Sequence, residues 1–222
     1  MKKDMQESND SHSLTVITFD LQKTLPTPHL QTNEAYHCRQ LYVYNLGIHS
    51  FPDNIGLMNL WSENEGKRGS CLHRYFRSLD HTIMHDVITF SDCCGGQNRS
   101  YPMARFMIYA VYCIPHINTI QMKFVQSVHS YLQNYTDFGH VAQKLKRDIY
   151  TPAQWEGLIK RSGSNVKTQQ MAEHLYTWED FDTVLINRAK NNDKQLVGWM
   201  KIHWMIFEKG SLDMRYKNDH YL

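Results

Sequence analysis

The pattern of hydrophobic and polar positions predicts that the chain opens with strands. The run Leu14–Asp20 is rich in β-branched residues and ends on an aspartate, which is typical of a strand that reaches the edge of a sheet. Residues 36–50 alternate between two faces, and residues 56–62 form a further apolar run after a turn at 52–54. Because consecutive strands usually pair, we expect a hairpin that joins the first strand in an antiparallel half-sheet.

Helices and strands alternate from residue 70 onward. Ser70 is a predicted helix cap, and Pro102 and Pro152 favour the first turns of two later helices. The run Val87–Phe90 is continuously apolar, as in a strand that is buried on both faces. The predicted elements are a helix over 70–84, a strand over 87–90, a helix from 101, a strand over 119–128, and helices over 138–148 and 151–160.

The two ends of the chain carry weaker patterns. Residues 1–13 are charged and polar, which predicts a disordered tail. Residues 161–167 are typical of a linker, and residues 178–189 of a helix or an irregular segment. A turn at 190–195 and a strand over 198–207 complete a small α+β extension, over 161–222, that we expect to pack on the domain formed by residues 14–160.

Aspartates mark the ends of the predicted strands. Asp20 and Asp92 each finish a strand, and Gly95 follows Asp92 in a Gly-Gly turn that allows a sharp exit from the sheet. Asp137 precedes the predicted helix over 138–148. Carboxylates from neighbouring strand ends would converge into a site for Mg²⁺ or Mn²⁺, since these cations prefer oxygen ligands. As an alternative, Asp92 caps the helix that follows it.

The order of elements predicts the fold class. Three antiparallel strands followed by helix, strand, helix, strand and helix are typical of a ribonuclease H-like α/β fold with a mixed sheet. The three aspartates fall where that fold places metal ligands. We therefore expect Asp20, Asp92 and Asp137 to be both the metal ligands and the catalytic residues for phosphoryl transfer.

Composition limits where nucleic acid could bind. The 24 basic and 22 acidic residues give a net charge of +2, which excludes a strongly basic nucleic-acid-binding domain. Any DNA-binding surface must then be limited to a local cluster of residues. The candidates are the turn Gln97, Asn98 and Arg99, which could hold a phosphate, and the basic run Lys144, Lys146 and Arg147.

Cysteine and histidine usage bears on location and on an alternative metal. The five cysteines contain no C-x-x-C pair, and no signal peptide precedes them, which predicts a reduced, intracellular protein. No apolar run is long enough to cross a membrane. A zinc site from His81, His85, Cys93 and Cys94 is an alternative, but adjacent cysteines fit a tetrahedral site poorly, which favours packed side chains.

Six segments resemble an uncharacterised domain family of transposon-like proteins in animal genomes, over roughly residues 14–210. The segments are Phe19-Asp-Leu-Gln22, Leu41-Tyr-Val-Tyr-Asn-Leu-Gly-Ile-His49, Arg68-Gly-Ser70, Phe90-Ser-Asp-Cys-Cys-Gly-Gly-Gln-Asn98, His129-Ser-Tyr-Leu132 and Asp137-Phe-Gly139. The resemblance implies a transposase-type catalytic domain with an Asp-Asp-Asp/Glu metal site, DNA as partner, a nuclear location and possible homo-oligomers.

The chain departs from this family near the third ligand. Tyr135 stands where an aspartate is usual, and Ala142 and Gln143 replace an Ile-Glu-Lys-like step that carries a glutamate. The resemblance therefore leaves two alternatives. The first is a metal-dependent polynucleotidyl transferase or nuclease, and the second is a catalytically inactive remnant that binds nucleic acid or protein.

Overall fold

The structure, a computed structural model, describes residues 1–30, 39–63, 69–95, 97–125, 132–171 and 189–218. These ranges form a mixed α/β fold. The helices are α1 Lys2–Asp10, α2 Gly69–Ser78, α3 Tyr101–Cys113, α4 Gln133–Lys144 and α5 Pro152–Lys160. The strands are β1 Leu14–Leu21, β2 Leu25–Thr27, β3 Leu41–Ser50, β4 Ile55–Ser62, β5 His85–Ser91, β6 Ile117–Phe124, β7 Val166–Gln170, β8 Trp204–Glu208 and β9 Met214–Lys217.

The chain divides into two compact units, and both are discontinuous in sequence. The first unit comprises Met1–Ile17, Leu72–Ser130 and Thr177–Leu222. The second comprises Thr18–Cys71 and Tyr131–Tyr176. Strand β1 begins in the first unit and ends in the second.

The first unit is a sheet with α3 packed against β6 and β8. Its strand order is β1-β5-β6-β8-β9, with β5 parallel to β6 and the pairs β6/β8 and β8/β9 antiparallel. Ser100 caps α3 by accepting a hydrogen bond from the backbone N–H of Met103, and Pro102 lies in the first turn, as predicted. The predicted β5 and α3 are therefore confirmed.

The second unit contains the predicted hairpin. Strands β3 and β4 are antiparallel, β2 pairs with β3, and β7 pairs with β4 in parallel. Helix α5 starts at Pro152, as predicted, and is preceded by a capping box in which Thr151 and Gln154 bond each other's backbone. The core side chains are Leu25, Val43, Met58, Leu60, Phe138, Val141, Ile149, Trp155, Leu158 and Ile159.

The bounds of two predicted helices were wrong because local hydrogen bonds or packing override the apolar pattern. Helix α2 ends at Ser78 and not near Met84, since the Asp80 carboxylate accepts bonds from the N–H and hydroxyl of Thr82 and turns the chain. Helix α4 begins at Gln133, five residues before the predicted start, and ends at Lys144.

Other predictions failed where strands are short or polar. The predicted linker over 161–167 overlaps β7, which pairs with β4 in parallel. The polar sequence of β7 does not indicate this pairing. The predicted strand over 198–207 is a 3-10 turn, Trp199–Lys201, followed by β8, and β9 was not predicted. Within residues 1–13 the structure forms α1, and the prediction over 178–188 lies outside the described residues.

Candidate functional site

Asp92 follows the last residue of β5, at the carboxyl end of a parallel strand pair in the first unit. Its Oδ1 atom accepts a hydrogen bond from the Asn98 side-chain amide at 2.6 Å and one from the Cys94 backbone N–H at 3.1 Å. Asn98 is buried, whereas Asp92 is partly exposed. The carboxylate is therefore fixed in place by the turn and still reaches solvent.

The turn after Asp92 is closed by its own backbone. The N–H groups of Gln97, Asn98 and Arg99 lie 3.1, 2.9 and 3.1 Å from the carbonyl oxygen of Cys94. These amides, which the sequence suggested for a phosphate, are thus already paired. A turn of this kind stabilises the entry into α3 and holds the Asn98 amide against Asp92.

Arg99, also predicted to contact nucleic acid, points into the first unit. It is 5% exposed, and its guanidinium group donates to the carbonyls of Met200 and Cys93 and lies over the Phe124 ring, 5.5 Å from the ring centroid. Carbonyl dipoles and an aromatic face therefore stabilise its charge inside the fold, although its Nε atom has no hydrogen-bond partner among the described residues. Of the three predicted turn residues, only Gln97 has a partly exposed side chain.

Asp20 lies in the second unit as the seventh of the eight residues of β1. It is 7% exposed, and its Oδ1 atom accepts a hydrogen bond from the backbone N–H of Leu21 at 2.8 Å. The structure therefore places this carboxylate at the end of its strand, as the sequence predicted.

Asp137 lies inside α4 and pairs with a histidine of β3. Its Oδ2 atom is 2.9 Å from Nδ1 of His49, and the two residues are 7% and 4% exposed. Gly56 of β4 closes the niche, since a Cβ atom there would lie 2.9 Å from the same carboxylate oxygen. Asp137 is not a helix cap, because α4 begins four residues earlier.

Asn134, one turn before Asp137, was missed by the sequence analysis. It is fully buried, and neither side-chain polar atom has a hydrogen-bond partner among the described residues. Its amide lies beside Gly47, where a Cβ atom would be 3.2 Å from Nδ2. The positions of polar residues in the sequence could have indicated this contact. Asn134 and Asp137 share a helix face, and His49 is on the face of β3 that carries Gly47.

The basic run is only partly helical. Lys144 is the last residue of α4, whereas Lys146 and Arg147 follow it in irregular backbone, so the prediction that all three lie on one helix was wrong. All three side chains are exposed, and Leu145 between them packs against the core of the second unit. This partly buried leucine anchors the backbone from which the cations extend.

Among the described residues, no group of three or more His, Cys, Asp or Glu side chains is arranged to hold a metal ion. Of the residues considered for zinc, His85 bonds the Asp80 carbonyl and Cys93 donates to the Val125 carbonyl, whereas His81 lies against a different residue, His116. In the same part of the chain, no helix is long and apolar enough to cross a membrane.

Comparisons of the chain with protein-family models, with curated proteins and with solved structures found no match. The resemblance to a transposon-linked family therefore depends on the sequence segments given above.

Proposed function

We propose that the chain is a transposon-derived, ribonuclease H-like domain that cleaves or joins DNA phosphodiesters with Mg²⁺ or Mn²⁺. The observation that carries this proposal is Asp92, a partly exposed carboxylate fixed at the carboxyl end of a parallel strand. Open α/β sheets bind ligands at such strand ends. The order of elements from β1 to α4 supports the ribonuclease H-like class.

The donor set fits a hard divalent cation. Mg²⁺ is usually held by one or two carboxylates together with water and substrate phosphate oxygens, so a protein cage of three ligands is not needed. Asp92 is the carboxylate proposed for this role, whereas Asp20 is 7% exposed and belongs to the second unit, so it stays a sequence prediction. We leave Asp137 out, because it is buried and already bonded to His49. A bound cation would activate a water and stabilise charge on the leaving oxygen.

The first experiment is Mn²⁺ titration by calorimetry, with cleavage of end-labelled duplex DNA as the second readout. Asp92→Asn keeps the shape of the side chain and one oxygen that can accept the bond from Asn98, but it removes the charge. We expect at least tenfold weaker Mn²⁺ binding and loss of cleavage. Asp193→Ala, at an exposed aspartate, is the control and should behave as the wild type. Equal Mn²⁺ binding by Asp92→Asn and the wild type would refute the proposal.

A second candidate function is a catalytically inactive remnant that binds nucleic acid or protein. The pairing of Asp137 with His49 favours it, because a predicted ligand here has a structural contact. In that case the domain binds DNA without metal and without cleavage. The exposed Lys146 and Arg147 would contribute, so their replacement by glutamate should weaken binding and reduce its salt dependence, whereas Lys167→Glu should not.

A further inference from the structure

Three histidines of the first unit lie together, away from Asp92. His81 is in the loop after α2, His85 is the first residue of β5, and His116 directly precedes β6. The ring centroids of His81 and His116 are 4.3 Å apart, and those of His85 and His116 are 6.1 Å apart. The proposed function makes no use of this histidine cluster.

Backbone carbonyls determine which ring nitrogen of His116 and of His85 carries the proton. Nε2 of His116 lies 2.8 Å from the carbonyl oxygen of Phe76, and Nε2 of His85 lies 3.0 Å from that of Asp80. A carbonyl oxygen only accepts, so both Nε2 atoms are protonated. In the neutral ring of His116, the Nδ1 atom therefore carries a lone pair. His116 is 5% exposed, and this lone pair has a fixed direction.

The lone pair of His116 faces another imidazole nitrogen. Nδ1 of His81 is 2.9 Å from Nδ1 of His116, and the rings are inclined at 77°. When His81 carries its proton on Nδ1, it donates to His116. When that proton moves to Nε2, two lone pairs face each other, an arrangement that a cation between them stabilises. His81 is exposed, so a cation can reach it from solvent.

We propose that His81 and His116 bind a divalent transition metal ion of the zinc, nickel or copper type through their Nδ1 atoms. Metal–nitrogen distances of about 2.0–2.1 Å place two tetrahedral ligands about 3.4 Å apart, so His81 must move by about 0.5 Å. An exposed loop side chain can do so. The bond from His116 to the Phe76 carbonyl orients the ring as carbonyls do behind metal-bound histidines.

The ligand chemistry separates this site from the proposed Mg²⁺ site. Imidazole nitrogen suits Zn²⁺, Ni²⁺ and Cu²⁺, whereas Mg²⁺ prefers oxygen ligands. Because the described residues contain no three-ligand group, water would fill the remaining positions. Such an open two-histidine site could also accept a group from a ligand or from another chain.

The test is Zn²⁺ titration by calorimetry in excess Mg²⁺, with His81→Ala as the variant and His140→Ala as the control at another exposed histidine. We expect one site in the wild type and in His140→Ala, and at least tenfold weaker binding in His81→Ala. Asp92→Asn should bind Zn²⁺ as the wild type does, which separates this proposal from the proposed function. Equal binding by His81→Ala, or loss of the site in Asp92→Asn, would overturn it.

A second measurement on the unmodified chain does not depend on any variant. Imidazole ¹⁵N spectra should show Zn²⁺-dependent shifts at Nδ1 of His81 and His116, whereas Nε2 of His116 stays protonated. Shifts confined to other histidines would overturn the proposal. Binding should weaken on acidification from pH 7 to pH 5, because protons compete for the same nitrogen lone pairs.

Discussion

The contact between His49 and Asp137 gives the sharpest test of the second unit. The two side chains join β3 to α4 across 88 residues of sequence, and neither is more than 7% exposed. Asp137→Ala would leave the His49 ring buried without its acceptor. Asp137→Asn keeps the shape and one oxygen that can accept the bond, so it separates loss of the charge from loss of the acceptor and its volume.

The expected loss in the free energy of unfolding follows from the burial of both side chains. Removing one partner of a buried ion pair costs about 3–5 kcal/mol, and leaving a buried neutral donor unpaired costs about 1–3 kcal/mol. With a bond of 2.9 Å between two buried groups, we expect Asp137→Ala to lower the free energy of unfolding by about 3 kcal/mol and Asp137→Asn by about 1 kcal/mol. For a chain of this length, about 3 kcal/mol corresponds to a fall in Tm of about 6–12 °C.

The assay is a double-mutant cycle with Asp137→Ala, His49→Ala and the double variant, measured by urea unfolding at pH 7. We expect a coupling energy of about 2 kcal/mol, since contacting residues in one buried pair are strongly coupled. Hydrogen exchange of the β3 and α4 amides shows whether the loss is located there. A coupling energy within about 0.5 kcal/mol of zero would mean that the contact does not stabilise the fold, and would refute the reasoning.

Four further predictions concern single residues. Gly47→Ala would place a Cβ atom 2.7 Å from the Phe138 ring and should cost about 1–3 kcal/mol in urea unfolding. Gly139→Ala, in open space on α4, should stabilise the fold by up to about 1 kcal/mol. Burial, followed by the charge of Arg77, lowers the pKa of His73 to about 4. Because His73 takes up a proton at higher pH in the unfolded chain than in the folded one, the free energy of unfolding should fall as pH drops from about 6.5 towards 4. His73→Gln should make the free energy of unfolding depend less on pH in unfolding titrations. Burial raises the pKa of Asp4, but its bond to Lys123 more than offsets this and holds the pKa below its usual value. Lys123→Met should raise that pKa in an NMR titration and increase hydrogen exchange in α1.

The fold was predictable where one local signal dominated. Strand β5 is a continuous apolar run, and α3 has a serine cap and an early proline, so both could be read from neighbouring residues. Strand β7 has neither signal. Its sequence is mostly polar, and its partner Gly56 pairs with Val166 from more than a hundred residues away. Only tertiary pairing makes this segment a strand.

The candidate site also contains features that neighbouring residues predict and features that only tertiary contacts determine. The position of Asp92 at a strand end followed from the apolar run before it and the glycines after it. The contact between Asp137 and His49 did not, because helix α4 begins earlier than its apolar spacing indicated and turns Asp137 inward. The inward direction of the Arg99 side chain was also not predictable from the sequence, since its acceptor at Met200 lies 101 residues away.

The discontinuity of the second unit has a consequence for how the protein is made. Strands β3 and β4 emerge from the ribosome well before α4 and α5, which supply Phe138, Trp155 and Ile159 to the same core. At about 5–20 residues per second, the sixty or so residues between the two parts take about 3–12 s to synthesise. During that interval the nascent hairpin exposes its apolar face, so chaperone recruitment should be concentrated on ribosomes that are translating this stretch.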